Sequence, residues 1–230
     1  MYFQHSSDLW AEHPGLAAGV VLATGITPDV SVEEPIAEFT AVAGRRLAVG
    51  PEAEFPEIQA WRRTFSKMGL KPTQYRCASE ALLRRFKKEG DLPRIHPLID
   101  LCNAASLAFA IPVAVFDLAN VSGGLEVRHA TGEETYLTFS GETENPEPRE
   151  VVFADAEGRA HARRWTNRQS GLSAVRPSTA SVLIVAEALH DSAARDVEEL
   201  IATLSGRLGE VWPVAPKTTM LSRSAPRLEF

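Results

Sequence analysis

The stretch Pro97-Leu-Ile-Asp-Leu-Cys-Asn-Ala-Ala-Ser-Leu-Ala-Phe-Ala-Ile-Pro-Val-Ala-Val-Phe-Asp117 constrains this chain more than any other. Its opening proline suits a first helical turn, where no backbone donor is needed, and the residues behind it are apolar on nearly every side, the pattern of a buried helix. Asp100 and Asn103 are the polar interruptions. After Pro112 the period changes to that of a strand, Val113 to Phe116, ending on an acid. A buried helix that runs straight into a buried strand calls for a core covered by both kinds of element, and hence for a mixed α/β fold.

The rest of the chain divides in the same way. Val20 to Gly25, entered from Gly19, reads as a buried strand closing in a turn. Ser31 with Glu34 reads as a capping box opening a helix whose Ile36, Phe39, Val42 and Ala43 share a face. A helix from about Glu54 to Lys67 places Ile58, Trp61, Phe65 and Met68 toward a core. Another runs from Ser79 to a C-capping Gly90, with Arg84, Arg85, Lys87 and Lys88 where the helix dipole favours cations. Beyond Pro112 come short strand patterns over Leu125 to His129, Thr135 to Phe139, Glu150 to Ala154 and Val182 to Val185. Asp155-Ala-Glu-Gly158 reads as a hairpin turn and Gly141 to Pro148 as an exposed loop. Helical spacing returns over Asp191 to Leu208, with Val197, Leu200, Ile201 and Leu204 on one face. The expected fold is α/β (α+β), a mixed β-sheet flanked by helices, with residues 1–212 as one domain. Residues 213–230, with three prolines and no periodicity, are expected to wrap the surface or stay disordered.

Several function classes have little support. No uncharged apolar run, Ala180 to Ala186 among them, reaches the ~20 residues of a membrane-spanning helix. The opening residues lack a basic stretch followed by an apolar one, so no secretory signal is expected; Tyr2 to Gln4 resemble a tag remnant, and the expected compartment is the cytoplasm. Cys77 and Cys102 form no Cys-x-x-Cys pair, and the six histidines have no metal-ligand spacing, so neither a metal nor another cofactor is expected. Cys102, on an apolar helix, reads as structural. With 24 Lys and Arg against 30 Asp and Glu, the net charge is −6, which excludes coating DNA by bulk charge. Local contact with nucleic acid would fall to Arg84, Arg85, Lys87, Lys88 and Arg94, or to Arg159, Arg163, Arg164, Arg168 and Arg176; for each cluster a solvated face is the simpler reading.

Three segments join apolar surroundings to polar side chains. Asp100 and Asn103, at i and i+3, share a helix face and can hold each other or an incoming hydroxyl or amine. Asp117 ends the strand begun at Val113. Arg163-Arg164-Trp165-Thr-Asn-Arg168-Gln169-Ser170 is followed by Ser178-Thr179. No Gly-x-Ser-x-Gly elbow and no glycine-rich phosphate loop accompanies them, and by chemistry alone a structural role for Asp100 and Asn103 is as well supported as a functional one.

The run from Leu98 to Leu118 resembles the hallmark of the tRNA-editing domain, the B3/4 module, of the β subunit of bacterial phenylalanyl-tRNA synthetase. There a Val-Asp-x-x-Asn helix leads to Pro-x-His-x-Phe-Asp. Gly123-Gly-Leu-Glu-Val-Arg128 and the apolar strand after Thr179 continue the likeness. Stand-alone proteins of that superfamily are more similar still, through Lys71-Pro-Thr-Gln-Tyr75-Arg76, Ser79 to Arg85, Leu92-Pro and Arg164-Trp165-x-x-Arg168-Gln169-Ser170; the resemblance spans about residues 61–189. It implies the editing-domain fold and a free-standing deacylase that hydrolyses an aminoacyl-tRNA ester, with the aminoacylated 3′ end of tRNA as partner. It assigns catalysis to Asn103, Arg168, Gln169, Ser170 and Thr179 and substrate binding to Tyr75, Arg76, Asp100, Asp117, Arg164 and Trp165, the indole stacking on the terminal adenine. The six residues Asp100, Asn103, Asp117, Trp165, Arg168 and Thr179 are expected to converge on one pocket. Two departures stand out: Ala114 takes the place of the motif's histidine, and Arg168-Gln169-Ser170 occupies the region of the glutamate that meets a tyrosine hydroxyl. The first favours an alternative, a non-catalytic module that binds an amino acid, a small metabolite or an RNA end.

Overall fold

The computed structural model describes residues 1–230. The first half is mainly helical: β1 (Tyr2–His5), α1 (Ser7–Glu12) and β2 (Ala17–Thr24) precede α2 (Glu33–Val49), α3 (Pro56–Lys67), α4 (Ala78–Glu89) and α5 (Pro97–Phe109). Strands follow, β3 (Val113–Asp117), β4 (Leu125–His129), β5 (Tyr136–Leu137), β6 (Thr143–Glu144), β7 (Val151–Asp155), β8 (Ala160–Arg163), β9 (Arg168–Gln169) and β10 (Ser181–Ala188). The chain ends with α6 (Ala193–Val211), β11 (Lys217–Leu221) and β12 (Arg227–Glu229).

Two main sheets result, one in the order β12-β1-β4-β7-β8-β9 and one in the order β11-β2-β10-β3, with β5 and β6 as a separate pair. The sheets face each other across an apolar layer in which Phe116 of β3 meets Phe153 of β7, ring centres 5.2 Å apart. The other face of the four-stranded sheet is covered by α2, α5 and α6. This double coverage explains the apolar run Val182 to Ala186 of β10. Leu183 and Val185 point into the layer between the sheets, whereas Val182, Ile184 and Ala186 point at the helices. Gly19 of β2 lets α6 approach closely: a Cβ there would lie 2.7 Å from Val197 and 2.8 Å from Ile201.

Both chain ends are built into the sheets. Tyr2 to Gln4, which resembled a tag remnant, belong to β1, parallel to β4 and antiparallel to β12, with Phe3 fully buried. Residues 213–230 carry β11, which pairs with β2, and β12, so this stretch completes the edge of each sheet where a surface wrap was expected. Its prolines fall outside the two strands, where they cost no ladder bond. The capping box at Ser31 is also absent. Helix α2 starts at Glu33 from Val32 without a side-chain cap, and Glu33 and Glu34 in its first turn meet the dipole instead. Helix α4 does end on a left-handed Gly90, and no helix is long and apolar enough to cross a membrane.

Candidate functional site

Each main sheet has an edge strand that the other sheet leaves unpaired, β3 in one and β9 in the other. They come together at one end of the layer, where the Gln169 side-chain amide donates to the carbonyl of Val115 at 2.5 Å and the Asp117 amide donates to the carbonyl of Ser173 at 2.9 Å. Between them opens a small cleft of about 60 Å³. Pro112, Val113, Ala114, Phe153, Ala162 and Val185 make its apolar wall; Trp165 to Gln169, Ala78 and Glu187 complete it.

The pleat explains this lining. Val185 pairs with Ala114, so both side chains leave the sheet on the same face, and Glu187, two residues on, faces the same way opposite Pro112. A methyl group is all that stands at 114, and the space above it is the cleft. The far wall is the turn between β8 and β9. Arg164 and Trp165 both adopt left-handed backbone there, at φ 49° and 57°, a conformation costing ~1–2 kcal/mol for each non-glycine residue. Side-chain and backbone bonds hold the turn in place. Glu150 accepts from the Arg163 guanidinium at 2.8 and 2.9 Å and from the Arg164 amide at 2.8 Å. Burial alone would raise the Glu150 carboxyl, but the hydrogen bond and charge of Arg163, together with the Arg164 charge and a backbone hydrogen bond, outweigh it, and the carboxyl sits below its ordinary value. The Ala78 amide donates to the carbonyl of Thr166 and the Asn167 side chain to the carbonyl of Arg76, docking the turn on the start of α4.

At the rim, Arg168 is exposed, pairs with Glu144 at 3.2 Å and lies over the Tyr136 ring at 5.4 Å. Burial raises the Tyr136 hydroxyl above its ordinary value, and that hydroxyl donates to the carbonyl of Gln169 at 2.6 Å. The rim therefore offers one solvent-facing guanidinium, the depth an apolar wall, and the floor a carboxylate.

Of the residues singled out in the sequence, the cleft gathers Trp165, Arg168 and Gln169. The others hold the frame. Asp117 accepts from the Thr179 hydroxyl at 2.7 Å, and Thr179 accepts from the Arg176 amide, so both are spent on tying β3 to the approach to β10. The fully buried Ser170 donates to the carbonyl of Leu137 at 2.8 Å. Asp100 accepts from the Ile95 amide, fixing the entry to α5. Asn103 stands half-buried on α5, outside the cleft lining. Arg164 covers the Tyr75 ring at 4.9 Å, and Arg76 lies 3.4 Å from Glu80. Convergence of all six residues on one pocket is thus not what the fold produces, because α5 lies on the helical side of the four-stranded sheet and the cleft on the other. Stacking of Trp165 on an adenine is also overturned: its indole is fully buried, edge-on to Trp61 at 5.1 Å, with its N–H bonded to Glu187 at 2.9 Å.

Glu187 was missed, although a signal for it exists. It is the one charge in Val182-Leu-Ile-Val-Ala-Glu-Ala188, at an inward-facing position of a strand otherwise apolar on both faces. His5, its second neighbour, carried no such signal, since β1 is short and its placement depends on long-range pairing.

The B3/4 domain model matches residues 60–203, a stretch containing every residue of the cleft. The phenylalanine–tRNA ligase β subunit of Thiobacillus denitrificans is 38% identical over 77 residues, which make up 34% of this chain and 10% of that subunit. The corresponding subunit of Bradyrhizobium diazoefficiens is 39% identical over 79 residues, again 34% of this chain and 10% of that subunit. In Shewanella oneidensis the same subunit is 28% identical over 105 residues, or 45% and 13%. Matched regions thus span about a tenth of the length of these relatives. Among solved structures, an N-terminal fragment of the phenylalanyl-tRNA synthetase β subunit from Pyrococcus horikoshii pairs with this chain at a TM-score of 0.48 and 10% identity, covering 94% of this chain and 49% of that one. The family model spans well over half of the sequence, and the chain belongs to the B3/4 domain family.

Proposed function

We infer that the cleft between β3 and β9 binds the aminoacylated 3′ end of a tRNA and hydrolyses its ester bond, in the cytoplasm where charged tRNA is made. The observation that carries this reading is where the cleft lies. It opens directly over Pro112-Val-Ala114, the segment that matches the editing motif, and it joins an apolar wall to an exposed guanidinium and a buried carboxylate. Such a wall suits an amino-acid side chain, and Arg168 at the rim suits the phosphate of the terminal nucleotide or the oxyanion formed as water attacks. Ester hydrolysis needs a positioned water and preorganised donors more than it needs a protein nucleophile, which fits a cleft with no free serine or cysteine. A second site that destroys mischarged products is the general solution where binding alone discriminates poorly between similar side chains.

Ala114 supports a second reading, a module that binds the aminoacyl group without turnover, because the side chain the motif places on this wall is absent. Deacylation assays on a panel of correctly and incorrectly charged tRNAs separate the two. The hydrolytic reading expects enzyme-dependent release from at least one member. Binding without release from any member leaves the module.

A further inference from the structure

Glu187 is 2% exposed, and its only ion-pair neighbour is His5, whose Nε2 lies 2.6 Å from Oε1. The same Oε1 accepts from the Trp165 indole at 2.9 Å. Oε2 takes no donor from the protein, although Glu187 lines the cleft. His5 has its other ring nitrogen, Nδ1, buried without a partner. His5 and the Trp165 indole thus both meet the carboxylate through Oε1. A carboxylate oxygen of a buried residue left without a donor is costly, and Oε2 is such an oxygen. Glu187 lines a space walled also by Pro112, Ala114 and Phe153, with Ala114 diagonal to it on the same face of the sheet and too small to cover it.

We propose that Glu187 is the specificity-determining residue of the cleft, its Oε2 receiving a primary ammonium group so that the site selects aminoacyl groups whose α-amine is free. The inference rests on the aminoacyl reading above and adds the polarity of binding. The ammonium lies at the floor on Glu187, the side chain lies along the apolar wall, and the ester end lies toward Arg168. A blocked amine loses the charge and the donors that match Oε2 and brings an acyl group into the floor of the cleft. The preference should be large, because separating the partners of a buried charge pair costs ~2 kcal/mol or more, roughly thirtyfold in affinity.

The indole N–H of Trp165 reports on this site, since it bonds the same carboxylate. Its nuclear magnetic resonance signal in the full chain would be followed during titration with a panel of L-amino acid methyl esters and their N-acetyl counterparts. The expected result is a saturable shift with the free-amine esters, at least about thirtyfold weaker binding of the acetylated ones, and loss of that preference in Glu187→Gln. Equal binding of both forms by the unaltered protein, or no binding of any ester, overturns the proposal without recourse to a variant. So does a folded Glu187→Gln that keeps the preference. Hydrolysis of N-acetylaminoacyl-tRNA as fast as of the unblocked form would overturn this inference and leave the deacylase reading standing. Amine-selective binding without hydrolysis would do the reverse.

Discussion

Arg168 and Gln169 are adjacent in sequence but do different work, and substitutions should separate them. The ion pair of Arg168 with Glu144 is solvent-exposed at both ends, so Arg168→Ala should change stability by no more than ~1 kcal/mol while lowering deacylation by roughly a hundredfold. Gln169→Ala removes the clasp between β9 and β3 and leaves the Val115 carbonyl short of a donor, which should cost ~1–3 kcal/mol in a denaturation experiment as well as rate. A second residue-scale prediction concerns Asp155. Burial alone would raise its carboxyl, but hydrogen bonds from Arg159, His161 and the Ser122 amide outweigh this and bring it to about 2, from an ordinary 3.8. A carboxyl lowered by folding contributes stability that is fully present above its unfolded value and is lost as pH falls through its folded one. Asp155→Asn should therefore cost about 2 kcal/mol at neutral pH, and urea titrations should show the gap between variant and parent closing between roughly pH 4 and pH 2.

At the scale of elements, β11 and β12 were illegible in the sequence for a physical reason. Both are short edge strands whose order comes from pairing with β2 and β1, more than two hundred residues away in the second case, and edge strands need no strong local pattern. The helices and the central strands were legible because periodicity and caps are local; Pro97 and Gly90 sit where the chemistry of helix ends puts them. Legibility of the site was poorer than that of the fold. Asp100, Asp117, Thr179 and Ser170 have the right chemistry, yet each is satisfied within the frame, and only the fold shows whether a polar group is spent or free. Truncation after Ala215 tests the role assigned to the last strands. It would strip β2 and β1 of a neighbour and uncover Leu221's site in the core, so a clear fall in melting temperature and faster amide exchange in β2 are expected. A truncated protein as stable as the full chain would show β11 and β12 to be ornament.

For the whole molecule, a chain of net charge −6 can meet a polyanionic partner only through local contact, with the cleft supplying the selectivity. Arg84 and Lys87 already engage Glu52, and Arg85 engages Glu89, so the first basic cluster is largely compensated. Binding of tRNA should accordingly be weak and fall as salt rises, with a shallow slope set by few phosphate contacts, measurable by fluorescence anisotropy from low to physiological ionic strength. The central claim is that the cleft breaks an aminoacyl ester bond. Its most direct test is release of labelled amino acid from a panel of charged tRNAs under single-turnover conditions, with the unaltered protein and Arg168→Ala side by side. The expected result is release from at least one charged tRNA and a roughly hundredfold slower rate in the variant. Binding to charged tRNA with no release from any member of the panel would contradict it.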